Sequence, residues 1–467
     1  MYRERLEAYI ENHREEMLED LKKLVSINSQ RSEAKPGKPF GDGAADVLAA
    51  AEKMMAEYGL STKNYENYVV TGDFNKEEKQ LDILAHLDVV PVTDSWTVTK
   101  PFEPVIVDGK MYGRGTADDK GPAIAALYAM RAIKETGIEL KKNVRLILGS
   151  DEECGSEDLE YYYGMEKEAP MTFTPDAEFP VINIEKGRLR AEFYGTFEEE
   201  ASLPAIVEFH GGDKVNVVPA NAWVIVSGIE KAIVEAAISE NGSGNVLTVR
   251  EQENGIKIAA KGEATHASTP EFGKNAISVL LALLEKLPLS ECDQNKALLE
   301  IGKLFPVGDY TGKALGVAME DKVSGHLSMN LGILHFDGKN LCGELDSRTP
   351  VCANDENVTA VVEKNLSRLG LKMEDSLICP VHHVPEESVL VQELLASYET
   401  YTGVKGTPLA IGGQTYVHEL KNGVAFGCMV PEVDNHMHGD DEFMEIEVLI
   451  MSAKIFADAI IRLCGVK

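Results

Sequence analysis

The chain has 467 residues and a formal net charge of -31 at pH 7, from 77 acidic against 46 basic side chains. This length predicts more than one domain, and an apolar fraction of 44% excludes a wholly disordered chain. The acidic balance argues against nucleic acid as a partner, because phosphate binding needs basic patches.

Neither a membrane segment nor a secretion signal is visible in the sequence. No apolar run approaches the roughly 20 residues that a membrane-spanning helix needs, and the first residues lack the apolar stretch of a signal peptide. The seven cysteines are scattered and form no C-x-x-C pair. We therefore expect reduced thiols and a cytoplasmic protein without membrane contact.

Helical and strand patterns alternate in the first third of the chain. Residues 1–26, 42–58 and 120–136 keep the spacing of apolar side chains that predicts helices. Apolar runs at residues 81–85 and 144–148 predict buried strands. This alternation favours an α/β fold, with a mostly parallel mixed sheet flanked by helices.

The pattern changes near residue 184, where short strand-like runs separated by Gly, Asn and Asp begin. Helical patterns return after about residue 384 and continue towards the C-terminus. We therefore predict one α/β domain formed by residues 1–184 and 384–467. An inserted α+β domain, residues 185–383, interrupts it.

Histidine and acidic side chains follow several of the predicted strands. In chain order they are His86, Asp88, Asp118, Asp119, Glu152, Glu153, Asp176 and His438. Ligands of open α/β sheets bind beyond the carboxyl ends of the strands, so these groups can converge on one crevice. A cluster of His, Asp and Glu without Cys is typical of a site for zinc, manganese or cobalt. One carboxylate can bridge two such ions about 3.5–4 Å apart, as in two-metal hydrolases.

Each piece of this pattern also has a purely structural interpretation. An H-x-D motif is more often a turn feature, and an acidic pair such as Glu152-Glu153 is more often a solvated surface feature. Asp118-Asp119 before a helix is a normal capping arrangement. What favours a metal site is the order of these pieces, each after a predicted strand.

Four motifs match a known family in order. They are His86-Leu-Asp-Val-Val-Pro, Gly113-Arg-Gly-Thr-Ala-Asp-Asp-Lys-Gly121, Asp151-Glu-Glu-Cys-Gly-Ser156, and His438 with Glu442. On these motifs the chain resembles, over essentially its whole length, the aminoacylase/carboxypeptidase family of co-catalytic metallopeptidases, and within it the PepV-type bacterial dipeptidases. The resemblance implies a metallopeptidase catalytic domain with an inserted lid domain.

The resemblance also implies the ligands of two divalent ions. His86 and Asp176 would hold one ion, and Glu153 and His438 would hold the other. Asp118 would bridge the two ions, with a cis peptide bond to the residue that follows it. Zn²⁺ is the expected metal, and Mn²⁺ and Co²⁺ suit the same ligands.

Two further residues of this site have implied roles. Asp88 would orient the imidazole of His86. Glu152 would be the general base, taking a proton from a metal-bound water and delivering it to the leaving amine. His436 competes with His438 as a ligand, and the family spacing favours His438.

Three motifs of the predicted insert resemble substrate-binding motifs of the family. Thr265-His266-Ala-Ser-Thr-Pro resembles the lid histidine motif, which implies that His266 stabilises an oxyanion. The segment that ends at Arg348 resembles the family's carboxylate-binding arginine, and Asn216-Val-Val-Pro resembles a dipeptidase motif that holds substrate. The structural alternatives are a hydrogen-bonded histidine at a strand end, a surface salt bridge and a turn, respectively.

A glycine-rich loop completes the predicted substrate site. Gly412-Gly413-Gln-Thr415 resembles a family loop that presents backbone N–H groups to a carboxylate. Gln414 stands where a third glycine is expected, and this departure bears on the specificity of the pocket rather than on the hydrolytic chemistry.

The predicted function is that of a di-metal dipeptidase, which cleaves dipeptides with a free amino terminus through a metal-bound hydroxide and the base Glu152. An N-acyl amino acid or acyl-diamino acid amidohydrolase is the alternative enzyme, because it would use the same metal site. A non-catalytic metal- or peptide-binding protein is a third hypothesis. We expect a monomer whose partner is its dipeptide substrate.

Overall fold

The computed structural model describes residues 2–198, 202–240, 245–431 and 433–467. The helices are α1 (Tyr2–Asn12), α2 (Arg14–Val25), α3 (Asp42–Glu57), α4 (Lys120–Glu135), α5 (Glu157–Tyr163), α6 (Lys231–Glu240), α7 (Ala276–Leu284), α8 (Asp293–Leu304), α9 (Thr359–Arg368), α10 (Val389–Thr402) and α11 (Ile446–Cys464). Single 3₁₀ turns are Glu152–Cys154, Pro270–Phe272 and Tyr416–Glu419. Of the helices in these ranges, none is both long and apolar enough to cross a membrane.

The strands are short to medium in length and occur along the whole chain. They are β1 (Ser61–Tyr65), β2 (Val69–Asp73), β3 (Lys79–His86), β4 (Val105–Val107), β5 (Lys110–Tyr112), β6 (Asn143–Gly149), β7 (Met171–Thr174), β8 (Ala177–Glu178), β9 (Ile182–Glu185), β10 (Gly187–Thr196), β11 (Ala205–Gly211), β12 (Asn221–Ser227), β13 (Leu247–Gln252), β14 (Gly255–Lys261), β15 (Glu320–Asp321), β16 (Gly325–His326), β17 (Ser328–Phe336), β18 (Asn340–Thr349), β19 (Lys372–Met373), β20 (His382–His383), β21 (Leu409–Ile411), β22 (Gly423–Ala425), β23 (Cys428–Met429) and β24 (Phe443–Glu445).

The chain forms two compact units. Unit 1 consists of Met1–Ile184, His383–Leu409 and Gln414–Lys467, and unit 2 consists of Glu185–His382 and Ala410–Gly413. The short segment Ala410–Gly413 groups with unit 2, whereas the sequence-based division assigns it to the catalytic domain. The identity of the two units as a catalytic domain and a lid stays a prediction.

Unit 1 is built around a mixed sheet. Its strand order is β1-β2-β6-β3-β7-β22-β9. The central strands β6, β3, β7 and β22 run parallel, and β2 and β9 pair antiparallel at the two sides. The predicted α/β fold with a mixed sheet flanked by helices is therefore confirmed, but the sheet is parallel only at its centre, with as many antiparallel as parallel pairings among these strands.

The central strand β3 is buried on both faces, which explains its continuous apolar sequence. Ile83 and Ala85 belong to the core formed with α4 and α11, whereas Leu84 packs in a second cluster with Tyr162 and Tyr416. Successive side chains of a strand point to opposite faces. The packing of both faces thus fixes the position of the strand end that carries His86.

Unit 2 has an α+β architecture. Its sheet has the order β13-β14-β12-β11-β17-β18-β10-β19, and its pairings are antiparallel. Helices α6 to α9 contribute buried side chains to its core. In β10, Leu189 and Phe193 are buried while Arg190 and Glu192 are exposed. The sheet therefore has one apolar face on the core and one polar outer face.

Candidate functional site

The predicted metal ligands come together at the carboxyl ends of the strands of unit 1. His86 is the last residue of β3, and Asp118 lies in the loop between β5 and α4. Glu153 lies on the 3₁₀ turn after β6, and Asp176 lies between β7 and β8. His438 comes from the loop before β24 and adopts a left-handed backbone conformation, with φ +61°.

Asp118 lies between two imidazoles. Its Oδ1 is 2.9 Å from Nε2 of His86, and its Oδ2 is 2.8 Å from Nε2 of His438. Asp176 Oδ2 is 3.7 Å from the same nitrogen of His86, and Glu153 Oε1 is 3.2 Å from that of His438. The ligand atoms of His86, Asp118 and Asp176 lie within 4.8 Å of one another, as do those of Asp118, Glu153 and His438. A carboxylate shared in this way can bridge two cations.

Asp119 contacts the backbone of a predicted metal ligand. The peptide bond between Asp118 and Asp119 is cis, as predicted. Asp119 Oδ2 accepts a hydrogen bond of 3.1 Å from the backbone N–H of His86. The sequence predicts no role for this carboxylate, and the only signal for it is its position directly after Asp118.

Asp88 contacts both the imidazole and the acidic turn. Its Oδ1 lies 3.3 Å from His86 Nδ1, which suits the predicted orienting role. Its two oxygens also accept hydrogen bonds from the backbone N–H groups of Glu152 and Glu153, with N···O distances of 3.2 and 3.1 Å. This second contact, which the sequence does not predict, ties the turn with the proposed base to the strand end with His86.

A buried glutamate holds the loop that carries Asp118. Glu442 accepts hydrogen bonds of 2.8–3.2 Å from three backbone N–H groups of the Gly115–Asp118 segment. Arg114 Nη1 donates to Glu442 Oε2 at 2.5 Å, and Arg114 Nη2 donates to the carbonyl of Gly439 at 2.8 Å. Glu442 is close in sequence to His438, so these contacts join the two ligand-bearing loops. From the sequence, Glu442 is identified only by its spacing to His438, and no contact of its side chain is predicted.

Burial dominates the protonation of this cluster. Desolvation raises the pKa of Glu152 and that of Asp176 well above the usual range. Burial acts in the same direction on Asp118, but hydrogen bonds from His438 and His86 hold the pKa of Asp118 below its usual range. The same hydrogen bond to Asp118 raises the pKa of His438 to about 10. The carboxyl groups of Glu152 and Asp176 therefore favour the protonated form unless a bound cation replaces the proton.

The donor set fits divalent cations. Imidazole nitrogens and carboxylate oxygens without a thiolate suit zinc, manganese and cobalt. One buried oxygen, Asp119 Oδ1, accepts no hydrogen bond from any of the residues described. A buried oxygen of this kind is costly unless a cation or a proton satisfies it.

The geometry distinguishes between the two candidate histidines of the last loop. His438 Nε2 faces Asp118, whereas His436 Nδ1 lies 3.2 Å from the carbonyl oxygen of Asp440. His438 is therefore the histidine that belongs to the acidic cluster, in agreement with the family spacing.

The predicted substrate-binding residues of unit 2 lie on neighbouring segments. The N–H of Ala267 donates to the carbonyl of Asn216 at 2.9 Å, so the segments of Asn216 and His266 run side by side. His266 Nδ1 lies 2.7 Å from Ser268 Oγ. A Cβ atom at Gly412 would lie 2.5 Å from Ser268 Cβ, so only glycine fits there.

The guanidinium of Arg348 already has a carboxylate partner. Its Nε and Nη2 donate to the two oxygens of Asp346, at 2.7 and 3.1 Å. Its Nη1 donates to the carbonyl of Gly412 at 2.6 Å. The fork that the sequence assigns to a substrate carboxylate is thus engaged with a buried aspartate of the same strand.

The remaining residues of the glycine-rich loop divide between the units. Gly413 belongs to unit 2, with Gly412. Thr415 belongs to unit 1, where its hydroxyl accepts a hydrogen bond from the N–H of Val417 at the start of a 3₁₀ turn. A substrate role for either residue stays a prediction.

A mixed α/β sheet, with His, Asp and Glu side chains clustered beyond its strand ends, is typical of metal-dependent hydrolases. Residues 83–462 match the family described as peptidase family M20/M25/M40, and the chain belongs to this family. The family predicted from the motifs is thereby confirmed, whereas membership of the PepV-type branch stays a prediction.

Relatives of known name cover the whole chain. Over 472 residues the chain is 33% identical to YtjP of Bacillus subtilis (strain 168), covering 98% of this chain and 99% of that protein. It is 31% identical over 461 residues to the beta-Ala-Xaa dipeptidase of Lactobacillus delbrueckii subsp. lactis, covering 97% of each. The crystal structure of human carnosine dipeptidase 1 aligns with a TM-score of 0.59 at 16% identity, covering 99% of each chain. The structural likeness shows a shared fold.

Proposed function

We propose that this chain is a metal-dependent dipeptidase that cleaves dipeptides with a free amino terminus. The observation that carries the proposal is the position of Asp118, with one imidazole nitrogen close to each of its carboxylate oxygens. Membership of peptidase family M20/M25/M40 and full-length similarity to a beta-Ala-Xaa dipeptidase support the choice of substrate class.

Two divalent ions are part of this proposal. His86 and Asp176 would hold one ion, Glu153 and His438 would hold the other, and Asp118 would be their shared ligand. We propose Zn²⁺ as the native metal, and Mn²⁺ and Co²⁺ as substitutes. Divalent ions at such a site lower the pKa of a bound water and polarise the substrate carbonyl.

The protein supplies the proton transfer. Glu152 takes a proton from the attacking water and gives it to the amide nitrogen, so that the C–N bond breaks with a neutral amine as leaving group. Its burial-raised pKa suits a group that must hold this proton in mid-reaction. Asp88 fixes the position of the Glu152 turn relative to His86. His266 donates a hydrogen bond to the oxyanion. Asn216, Gly412, Gly413 and Thr415 contact the substrate.

A mutant of the base, measured beside the wild type, tests the proposed mechanism. Metal analysis of wild type and Glu152→Ala should show equal metal content, while turnover of a dipeptide falls about 10²–10⁴-fold in the variant. Near-wild-type turnover of Glu152→Ala would overturn the role of this residue.

A substrate comparison tests the proposed class. The wild type should prefer a free dipeptide over the same dipeptide acetylated at its amino terminus. Preference for the acetylated compound would instead identify an N-acyl amino acid or acyl-diamino acid amidohydrolase.

Location and assembly complete the proposal. We propose a cytoplasmic monomer, supported by seven cysteines that are all free thiols. Light scattering coupled to size-exclusion chromatography should give a mass near 51.0 kDa. A mass near twice that value would show a dimer.

A further inference from the structure

The unit 2 sheet consists of two halves that are joined by a short strand pairing, here called the seam. Strands β13, β14, β12 and β11 form one half, and β17, β18, β10 and β19 form the other. β10 and β18 pair along their whole lengths. In contrast, β11 and β17 pair through Phe209–Gly211 and Leu334–Phe336 alone. A group that binds both strands at the seam would therefore help to hold the two halves together.

Two histidines occupy the centre of the seam. His210 on β11 lies directly opposite His335 on β17. Their ring centres are 4.1 Å apart, with an angle of 78° between the ring planes. The adjacent side chains of Phe209 and Leu334 belong to the apolar core, so the two imidazoles project from the other face of the sheet. His210 is exposed and His335 is partly exposed, which leaves the pair accessible from solvent.

An indole ring holds one of these imidazoles in place. Trp223 on β12 lies directly opposite His210, on the side away from the seam. The two rings are stacked, with their centres 5.6 Å apart and their planes at 7°. Lys257 Nζ lies 3.5 Å from the centre of the same indole ring. These contacts restrict the His210 ring and thus reduce the entropy that it loses when it binds a ligand.

The surroundings of His335 favour its metal-binding form. Burial lowers the pKa of the His335 imidazole, and the proximity of His210 lowers it further. The charge of Asp213 and a hydrogen-bonding contact with the backbone of Gly212 act in the opposite direction without reversing the shift. His335 is therefore neutral at pH 7, and a neutral imidazole is the form that binds a metal ion.

Carboxylates near the pair add an attraction for cations. Asp213 is close enough for its charge to act on His335. Glu208 precedes His210 by two residues in regular pairing with β12, so it lies on the same face. Negative charge beside two imidazoles raises the local concentration of cations. Imidazole nitrogens suit copper, nickel and zinc, and copper(II) forms the tightest complexes of the three.

We propose that His210 and His335 form a second metal site, which binds one late transition-metal ion, with Cu²⁺ preferred, across the seam. Each histidine supplies one ring nitrogen as a ligand, and the ion links β11 to β17 where their backbone pairing is short. The site belongs to unit 2 alone, and its ligands are separate from those of the candidate metal centre in unit 1.

Quenching of Trp223 fluorescence by copper tests this proposal. Cu²⁺ quenches indole fluorescence at short range, and Trp223 is stacked on a proposed ligand. In a Trp96→Phe background, Trp223 is the one remaining tryptophan of the chain. Titration of this protein with Cu²⁺, after loading with Zn²⁺, should give saturable quenching with a stoichiometry of one ion per chain. Absence of saturable quenching would overturn the proposal and leave the two rings as an aromatic contact between strands.

Variants of the two ligands locate the ion. His210→Phe and His335→Phe each remove the nitrogen donors and keep an aromatic ring on the strand. Each should raise the Cu²⁺ concentration at half-maximal quenching more than about 10- to 100-fold, because losing a ligand costs more than losing an outer support of a metal site. Ni²⁺, which thiols do not reduce, should give the same order of variants. An unchanged half-maximal concentration in either variant would overturn the proposal.

Cys342→Ser and His326→Ala are the matched controls. Cys342 lies directly opposite His335 on the side away from His210, so its thiol is on the same face but outside the proposed pair. His326 is an exposed histidine elsewhere in unit 2. Both variants should bind Cu²⁺ like the parent protein. A loss in either control equal to that in the two ligand variants would indicate non-specific binding or a different ligand set, and would overturn the two-histidine site.

Discussion

Glu442 gives the sharpest test of how the candidate metal centre is held in place. Its side chain is 0% exposed and that of its partner Arg114 is 2% exposed. Glu442→Ala leaves the Arg114 guanidinium buried without a carboxylate, which typically costs about 3–5 kcal/mol. The backbone N–H groups of the Asp118 loop lose their acceptor in the same step. We therefore expect the free energy of unfolding of unit 1 to fall by about 3–5 kcal/mol.

Tryptophan fluorescence can report this loss locally. The chain has two tryptophans, and the ring centre of Trp96 lies 5.6 Å from the Arg114 guanidinium carbon. In a Trp223→Phe background, urea unfolding followed by Trp96 fluorescence should therefore monitor the neighbourhood of the Arg114–Glu442 pair. A fall of less than about 1 kcal/mol in Glu442→Ala would refute the reasoning, because a buried pair broken on one side costs more.

Metal affinity separates positioning from general stability. Competition with a chromogenic chelator should show about 10- to 100-fold weaker metal binding by folded Glu442→Ala, the usual effect of losing an outer support of a metal site. Asp82→Ala is the control, because it breaks another buried pair of unit 1, with Arg145, whose side chains are 0% and 1% exposed. It should lose similar stability and keep its metal affinity. Equal weakening in both variants would refute a specific role for Glu442.

Three further predictions concern protonation, the oxyanion and the metal. Burial lowers the pKa of Lys120 to about 7 from an ordinary 10.5. Between pH 7 and 10.5 the unfolded chain therefore binds more protons than the folded chain, so the free energy of unfolding rises with pH. The free energy of unfolding of the wild type relative to Lys120→Met should thus rise by at most about 1.4 kcal/mol per pH unit in urea titrations at pH 7 and 9, and a constant difference would contradict this. His266→Ala should lower kcat about 10²–10³-fold with little change in KM, and steady-state kinetics with an unchanged kcat would exclude the oxyanion role. Chelation should abolish dipeptide hydrolysis and Zn²⁺, Mn²⁺ or Co²⁺ should restore it; activity that persists in protein shown by elemental analysis to hold no metal would contradict a metal-dependent mechanism.

The strand ends of unit 1 could be predicted because they are local features. The apolar run at residues 81–85 lies within β3, and the run at residues 144–148 lies within β6. Each run is buried on both faces, so it stands out as continuous apolar sequence that ends at a polar side chain. That end is where the candidate metal ligands lie, as with His86, the last residue of β3.

The first predicted helix is wrong in one respect. The structure has two helices here, α1 (Tyr2–Asn12) and α2 (Arg14–Val25), instead of the single helix predicted over residues 1–26. They meet at His13, whose backbone leaves the helical region with φ -107° and ψ 15°. The ring of His13 stacks on Tyr9 at 3.9 Å. The apolar spacing does not reveal this break, because both helices bury their apolar side in the same core.

The supporting contacts could not be predicted because they join residues that are distant in sequence. Glu442 reaches the loop of Asp118, and Asp88 reaches the turn of Glu152. The spacing of a motif does not encode such a contact, since it depends on how loops pack. The pairing of Arg348 with Asp346 is different, because residues two apart on a strand share a face. That contact could have been predicted from the sequence.

The acidity of the candidate centre has a different origin from the acidity of the chain. A net charge of -31 keeps a protein in solution, although the repulsion between like charges opposes compaction. In the buried cluster, however, carboxylates outnumber imidazoles, and Asp176 and Glu152 have raised pKa values because their ionised forms are poorly solvated. Divalent cations restore the charge balance and release the protons that these groups otherwise hold. Metal binding and the folding of unit 1 should therefore stabilise each other, since the same carboxylates that oppose burial on their own become ligands once a cation is bound.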